Sequence, residues 1–392
     1  AKWISTTEDT IEDVYVNPDL DSEEDGQTIA YKGIEYVVGQ TAFASLEDAL
    51  VVANGQIIIA GTIDENVTIE KNDITLLGAN AFVDPNTQER LEETVIKGTI
   101  TLATNIHNIT FNGLSFTGNA KVRNSGEASN VQFIFNYVHD TAAPTASWIE
   151  TAGYTSGFIV FEHATNNMLR DFTFSNNRFE NVLDANINLS RVNHVTFDRN
   201  TFLNFTRDAI RFDTGGFNQG DLIFTNNRFE NDTLQGNNGI FFRMYGGDEA
   251  MPTHILIEEN TFKNIGQTSH TSYSGAISMR NFQEKVTVID ILFNTFEGCA
   301  NYIHIRNNAT VANHANNPWI GNVNYNIFKG IPTTYYYKNW TGSDGASTNP
   351  EIVNFDYNYY EDNSGNAITD LSSHASKFIN IGSNDNPYAS LE

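Results

Sequence analysis

The sequence has one cysteine, few basic residues and no long apolar segment. Cys299 is the only cysteine, so no disulfide can form within the chain. Lysine and arginine number 22 against 48 aspartates and glutamates, which gives a formal net charge of −26. Nucleic acids and anionic membrane surfaces are bound through basic surfaces, so we predict neither as a partner. No apolar run of about 18 residues occurs, and we expect no insertion into a membrane.

Motifs for common cofactors are also absent. The nine histidines are scattered without an H-x-x-x-H pair or a Cys/His cluster, which argues against zinc. Neither of the glycine-rich nucleotide motifs is present. The segment "NPDLDSEEDGQ" (17–27) is rich in carboxylates like a calcium loop, but it lacks the EF-hand spacing and the terminal glutamate. We interpret it as a solvated acidic segment; Ca2+ there, or at Asp248 and Glu249, is the alternative, and no other cofactor is expected.

An internal repeat is the strongest pattern in the chain. The hexapeptide "NNRFEN" occurs at 176–181 and again at 226–231, within a wider Asn-x-Phe pattern whose spacing after Asn177 is 23 to 34 residues. Periods of this length are typical of solenoids, in which each unit buries its apolar face against its neighbours. The pattern, with Val or Tyr in place of Phe at two sites, begins at Asn136, Asn177, Asn200, Asn227, Asn260, Asn294, Asn326 and Asn358.

The repeat units predict short strands rather than helices. Runs such as "HVTFDRNTF" and "HILIEENTF" alternate apolar and polar residues, and Gly, Asn and Asp separate them. Two or three short strands per turn with loops of uneven length predict a parallel β-helix. We expect each Asn to lie in the bend, to bind backbone amides and to stack on the next Asn, while the Phe packs into the bore. The repeated hexapeptide is therefore interpreted as scaffold.

The N-terminal part carries a resemblance to a known family. A helix near 44–53 with Ser45 as N-cap precedes three strands, and the stretch from Gly61 through Ile69 has the form G-x-x-x-E-N-V-x-I. Over residues 40–370 the sequence resembles the pectate-lyase-like superfamily of right-handed parallel β-helices. The resemblance implies that the helix caps the first coil and that the substrate is a carbohydrate. The motifs of pectin methylesterases, polygalacturonases and typical pectate lyases are absent, so no catalytic residue is carried over.

These observations together predict the architecture. We expect an all-β protein, a single right-handed parallel β-helix with a short N-terminal capping helix, over residues 40–392. Residues 1–39 are expected to form an acidic leader that packs on the first coil. The substrate class implied by the resemblance leads us to expect a secreted or cell-surface protein, and we expect it to be a monomer.

The strand that follows each Asn bend carries the candidate functional residues. Side chains alternate along a strand, so the residues between the apolar inward positions face outward. Adjacent coils lie about 4.8 Å apart, which places equivalent residues in columns along the face. One predicted outward column consists of Glu162, Ser190, Asp213, Arg243, Arg280, Arg306 and Lys338; its neighbour consists of Val160, Asn188, Arg211, Phe241, Ser278, His304 and Tyr336.

Four consecutive cations at the end of the first column need negative partners, because like charges opposed in neighbouring strands destabilise a sheet. Loop carboxylates such as Asp248, Glu249 or Glu284 are one source, in which case the column is ordinary surface. An acidic polysaccharide is the other, since arginine binds carboxylates through two hydrogen bonds. The face spans roughly 29 Å, enough for about five sugar units. We predict that Arg211, Asp213, Arg243, Phe241, Asn188, Tyr336 and Glu162 contact such a polymer.

Two chemistries and one non-catalytic role fit this face. A lyase that cleaves a uronate polymer needs cations to neutralise the carboxylate, as Arg280 and Arg306 would, and a base, as His304 or Lys338 would. A glycoside hydrolase needs two carboxylates, but Glu162 and Asp213 lie about 10 Å apart, beyond the usual separation. We therefore rank a lyase above a hydrolase. A non-catalytic polysaccharide-binding protein or adhesin at the cell surface is the other hypothesis.

Overall fold

The computed structural model describes residues 11–141, 157–161, 169–190, 192–213, 220–243, 254–267, 274–280, 288–307, 320–341 and 352–379. In this part of the chain three parallel sheets of 13, 11 and 11 strands run along the molecule, and a separate two-stranded hairpin lies near the N-terminus. Each coil contributes one strand to each sheet, and the next strand of a sheet comes one coil later in the chain. The predicted fold, an all-β parallel β-helix, is confirmed.

Strands from successive coils make up each of the three sheets. The first sheet contains Ala42–Phe43, Ile11–Val16, Ala53–Ile59, Thr75–Leu77, Ile106–Asn112, Ala128–Ile134, Leu169–Ser175, Val192–Asp198, Asp221–Thr225, His254–Glu258, Val288–Leu292, Ile320–Asn324 and Ile352–Asn354. The second contains Thr62–Ile63, Val95–Ile96, Ser115–Gly118, Tyr137–Thr141, Arg178–Glu180, Thr201–Leu203, Arg228–Gln235, Thr261–Ile265, Thr295–Glu297, Ile327–Lys329 and Tyr359–Glu361. The third contains Val67–Ile69, Thr99–Leu102, Lys121–Asn124, Ile159–Phe161, Ile187–Ser190, Asp208–Asp213, Asn238–Arg243, Gly275–Arg280, Asn301–Asn307, Tyr335–Thr341 and Phe378–Ile379.

The N-terminal segment adds to the first sheet. Ile11–Val16 pairs in parallel with Ala53–Ile59, and Thr28–Tyr31 pairs with Ile34–Val37 as the hairpin. Short 3-10 helices cover Pro18–Ser22 and, at the other end, Ser372–Lys377. The division of the chain at residue 40 stays a prediction.

The capping helix is present and is held by the "ENV" stretch of the sequence. It runs over Leu46–Val52, close to the predicted 44–53, and Ser45 Oγ accepts from the backbone N–H of residues 47 and 48. The carboxylate of Glu65 accepts from the Leu46 N–H at 2.7 Å and from the Ser45 hydroxyl at 2.9 Å. Glu65 therefore ties the first turn of the helix, where negative charge is favourable, to the coil beneath it.

The predicted asparagine ladder forms in one bend of the coil. Asn227 shows the pattern: its Oδ1 accepts from the backbone N–H of Asn200 at 2.9 Å, and its Nδ2 donates to the Phe197 carbonyl and to Asn260 Oδ1, both at 2.9 Å. The same bonds recur from coil to coil, and all the side chains are buried. The ladder consists of Asn136, Asn177, Asn200, Asn227, Asn260, Asn294, Asn326 and Asn358.

The other residues of "NNRF" complete this explanation. The first asparagine of each copy, Asn176 and Asn226, has a positive φ of 53° and 57°, a conformation that asparagine tolerates better than most residues. The phenylalanine that follows packs in the bore as part of a stack: Phe179 and Phe202 have ring centroids 4.8 Å apart, and the next pair, Phe202 and Phe229, 5.0 Å. The first asparagine thus turns the chain, the second hydrogen-bonds to the asparagines of the adjacent coils, and the Phe fills the core.

Candidate functional site

The three arginines of the predicted outward column are in register on the third sheet. Arg243 is the Cα partner of Arg280, and Arg280 is the partner of Arg306, on three consecutive coils. We call these three residues the arginine column. Adjacent strands lie about 4.8 Å apart, so the backbone holds three like-charged positions at that interval. Their side chains lie outside what the structure describes, as do the whole of Glu162 and the loop carboxylates Asp248, Glu249 and Glu284.

The neighbouring column also has the predicted register, but it does not form an open groove. We call Asn188, Arg211, Phe241, Ser278 and His304 the floor column, because they pair strand by strand and alternate with residues of the bore. All five are buried, with 5% or less of their surface exposed. Alternation correctly assigns them to the outward side of the sheet, yet none of them is accessible from solvent. A ligand on this face would therefore lie above the floor column.

Arg211 is held by an acidic neighbour of its own strand. Its Nη1 lies 3.2 Å from Asp208 Oδ2, and the other carboxylate oxygen of Asp208 accepts from Asn238 Nδ2 at 2.7 Å. The guanidinium also lies over the Phe241 ring, 5.4 Å from its centroid. A buried carboxylate and a ring face already stabilise this charge. Arg211 is thus part of the packed floor, and its contact with a substrate stays a prediction.

The prediction for the last strand was out of register by two residues. Asn301 pairs with Tyr335 and His304 pairs with Lys338, so Lys338 belongs to the floor side and Trp340 follows Arg306 in the arginine column. Tyr336 does not face outward: it is fully buried in the bore and stacks on Phe378 with ring centroids 5.0 Å apart. Burial raises the pKa of its hydroxyl. The predicted run of four cations is therefore three arginines.

Lys338, and not Tyr336, occupies the floor-side position next to His304. It is half-buried, and its Nζ lies 4.5 Å from the centroid of the Tyr335 ring, a cation–π contact. Lys338 and His304 are neighbours on adjacent strands. The two residues predicted as alternative bases are thus neighbours, two residues along the strand from the arginine column.

The second sheet carries a charge pattern of the opposite kind. One outward column alternates in sign along five consecutive strands: Glu230, Lys263, Glu297, Lys329 and Glu361. Lys263 Nζ lies 3.5 Å from a carboxylate oxygen of Glu230 and 3.5 Å from one of Glu297. The charges of Glu297 and Glu230 raise the pKa of Lys263. Opposite charges are therefore neighbours along this column, which is favourable between adjacent strands.

The described residues offer no ready metal site. No group of three or more His, Cys, Asp or Glu side chains in that part of the chain is placed to hold a metal ion. The acidic segment 17–27 lies within it, whereas Asp248 and Glu249 lie outside. Among the same residues, no helix has the length and apolar character needed to cross a bilayer.

Comparison with known proteins gives only distant similarities. No protein-family model and no curated protein sequence matches the chain. Among solved structures it is similar to PfbA, a surface adhesin of Streptococcus pneumoniae, with 14% identity and a TM-score of 0.44 over 80% of this chain and 90% of that one. It is also similar to the ORF18 protein of Geobacillus virus E2, with 15% identity and a TM-score of 0.27 over 89% and 61%. At these TM-scores neither similarity supports a conclusion, and the fold assignment depends on the strand register described above.

Proposed function

We propose that this chain is a polysaccharide-binding β-helix protein, secreted or at the cell surface, whose arginine column binds the carboxylates of an acidic, uronate-containing polymer. The observation that supports this is the register of Arg243, Arg280 and Arg306 on consecutive strands. Like charges directly opposed in a sheet are unfavourable. A ligand that supplies carboxylates at a similar interval removes that cost when it binds.

The second sheet provides the contrast that makes this register informative. There the same strand spacing carries Glu230, Lys263 and Glu297, whose charges pair within the protein. The chain therefore contains a column of alternating charge on one face and three like charges in register on another. With a net charge of −26, the rest of the surface repels an acidic polymer. Binding is expected to concentrate where the arginines are and to weaken as salt is added.

The floor column favours binding over turnover. His304 is 2% exposed and Arg211 is 3% exposed, and Arg211 is paired with Asp208. A base must come within hydrogen-bond distance of the proton that it removes. A polymer lying over the arginine column does not reach a histidine buried beneath the face, so a non-catalytic binding protein or adhesin fits better than an enzyme.

A polysaccharide lyase of the pectate-lyase-like superfamily is the second candidate, and one observation favours it. His304 and Lys338 are partners on adjacent strands, and His304 lies two residues before Arg306. In β-elimination a base removes the proton at C5 of a uronate, the C4–O bond breaks as the C4–C5 double bond forms, and the leaving oxygen takes a proton. Arg306 would neutralise the carboxylate while Lys338 or His304 acts as the base.

The proposal is tested by comparing one variant from each charged column. We expect Arg280→Ala to weaken binding to a uronate oligomer roughly 10- to 150-fold, the equivalent of about 1.5–3 kcal/mol for a charge-assisted hydrogen bond. Lys263→Ala removes one cation from the paired column of the second sheet and is expected to leave the affinity unchanged. Isothermal titration against a uronate oligomer and a neutral glucan measures both. An Arg280→Ala protein with unchanged affinity and a lower melting temperature would show that the column is structural.

Turnover is measured separately on the wild-type protein. Cleavage by β-elimination creates an unsaturated uronate that absorbs in the ultraviolet, so a panel of uronate polymers is incubated and followed by absorbance. The binding proposal predicts retained affinity with no rise in absorbance. A rise that disappears in Lys338→Met but persists in Lys263→Met would support the lyase instead.

A further inference from the structure

A second pair of cations lies on the third sheet, well away from the arginine column. Lys121 and Arg123 flank Val122, which is fully buried in the bore, so both side chains are on the outward side of the strand Lys121–Asn124. Arg123 pairs with Val160, which pairs with Asn188 of the floor column. Four coil steps separate this strand from Asn238–Arg243, a distance of roughly 19 Å.

This pair is half-buried without acceptors among the residues that the structure describes. Arg123 Nε is shielded from solvent and has no hydrogen-bond partner there. The neighbouring strand places Thr99 and Thr101, which carry no charge, beside the two cations. The carboxylate that acts on Lys121 is that of Asp184, whose Oδ1 binds Arg207 at 2.9 Å and whose Oδ2 is buried without a hydrogen-bond partner among the described residues, so one negative charge is shared by three cations. The pair therefore has an excess of positive charge.

Two partly buried cations in the described part of the chain have acceptors. Lys71 Nζ donates to the carbonyls of Val51 at 2.6 Å and Ala53 at 3.1 Å. Arg90 binds both carboxylate oxygens of Glu93. Around Lys121 and Arg123 the described residues supply no such acceptor, and a shielded polar group without a partner is destabilising.

Burial and mutual repulsion act on Lys121 in the same direction. Burial lowers the pKa of its ammonium group, the charge of Arg123 lowers it further, and Asp184 only partly opposes the two. Both effects are relieved when a negatively charged group is bound between the side chains.

We infer that Lys121 and Arg123 form an anion-binding site that takes an oxyanion, a carboxylate or a sulfate group. Arginine suits either group through paired N–H donors, and the lysine adds a second charge. The site itself depends only on this pair. That its ligand is an acidic group of the same polymer, bound roughly 19 Å from Arg243, rests on the proposed function.

The first test uses inorganic sulfate and needs no polymer. Thermal denaturation is followed with sodium sulfate and with sodium chloride at equal ionic strength. The proteins are the wild type, Lys121→Met/Arg123→Met, and Lys97→Met as an exposed control from the connection before Thr99–Leu102. We expect sulfate to raise the melting temperature of the wild type and the control by more than that of the double variant, whose remaining shift reports the general effect of sulfate. An equal sulfate shift in all three proteins would overturn the inference.

The second test uses uronate oligomers of increasing length and separates the two proposals. We expect the double variant to bind oligomers that span both sites roughly tenfold more weakly and to bind shorter oligomers with unchanged affinity. Arg280→Ala should weaken the binding of long and short oligomers alike. A sulfate response that depends on the pair, with no effect of Arg280→Ala on any oligomer, would retain the anion site and reject the proposed function. A double variant that melts well below the wild type without sulfate would show that the pair has a structural role.

Discussion

Removing one rung of the asparagine ladder should destabilise this protein more than most single substitutions do. Asn227 is 1% exposed and makes four side-chain hydrogen bonds, two as acceptor from Asn200 and two as donor to Phe197 and Asn260. In Asn227→Ala, Asn260 Oδ1 still accepts from the backbone N–H of residue 227 at 2.8 Å. The Asn200 N–H and the Phe197 carbonyl lose their side-chain partner in a buried bend. At about 1 kcal/mol for each bond, we expect a loss of about 4 kcal/mol.

Asn227→Asp and Asn72→Ala are compared with Asn227→Ala. Asn227→Asp keeps the acceptor but places an oxygen opposite the Phe197 and Asn260 oxygens, so we expect it to be at least as destabilised. Burial and these oxygens should raise the folded-state pKa of the new carboxyl, so stability should partly recover as the pH falls through that pKa. Asn72→Ala is the control, because its side chain accepts one exposed bond, from the His107 N–H at 2.9 Å. It should cost about 1 kcal/mol or less.

Urea denaturation followed by circular dichroism measures all three proteins. A solenoid can unfold in parts, so the m-values must agree before the midpoints are compared. A loss of less than about 1 kcal/mol for Asn227→Ala, at an unchanged m-value, would refute the view that the ladder holds the bend together.

Three other substitutions test the scaffold and are measured in the same way. Glu65→Ala removes both acceptors that hold the capping helix and should cost about 2 kcal/mol; an unchanged midpoint would contradict that role. Asp208→Ala leaves Arg211 buried without its carboxylate and should cost roughly 3 kcal/mol, whereas a stabilised protein would mean that the pair is dispensable. Asn186→Ala removes an amide that is fully buried without a hydrogen-bond partner among the described residues, so it should be neutral or stabilising, and a large loss would indicate a partner within the bore.

Much of the scaffold could be predicted because the same residue types recur once per coil and have the same structural role each time. The Asn-x-Phe pattern specifies a buried amide and a stacked ring at one bend, and the structure places Asn177, Asn200 and Asn227 there. The helix was found from Ser45 and its apolar face. Glu65 could not be assigned, because its bond to Leu46 joins residues 19 positions apart and no local pattern reports it.

The candidate site was harder to predict for two physical reasons. Alternation gives the face on which a side chain lies but not what covers it, so the burial of His304 and Arg211 was missed. Register depends on the length of each connection, and the connection before Tyr335–Thr341 is two residues longer than the predicted columns require. That difference places Lys338 next to His304, and it places Tyr336 beside Tyr302, which is also fully buried. Lys121 and Arg123 were not identified, because the predicted outward columns begin only at Val160 and Glu162.

The decisive measurement is the structure of the chain with a bound uronate oligomer. We expect the oligomer to run across the third sheet, with carboxylate oxygens about 2.7–2.9 Å from guanidinium nitrogens of Arg243, Arg280 and Arg306. An oligomer bound on the second sheet, or one whose carboxylates leave all three arginines untouched, would contradict it.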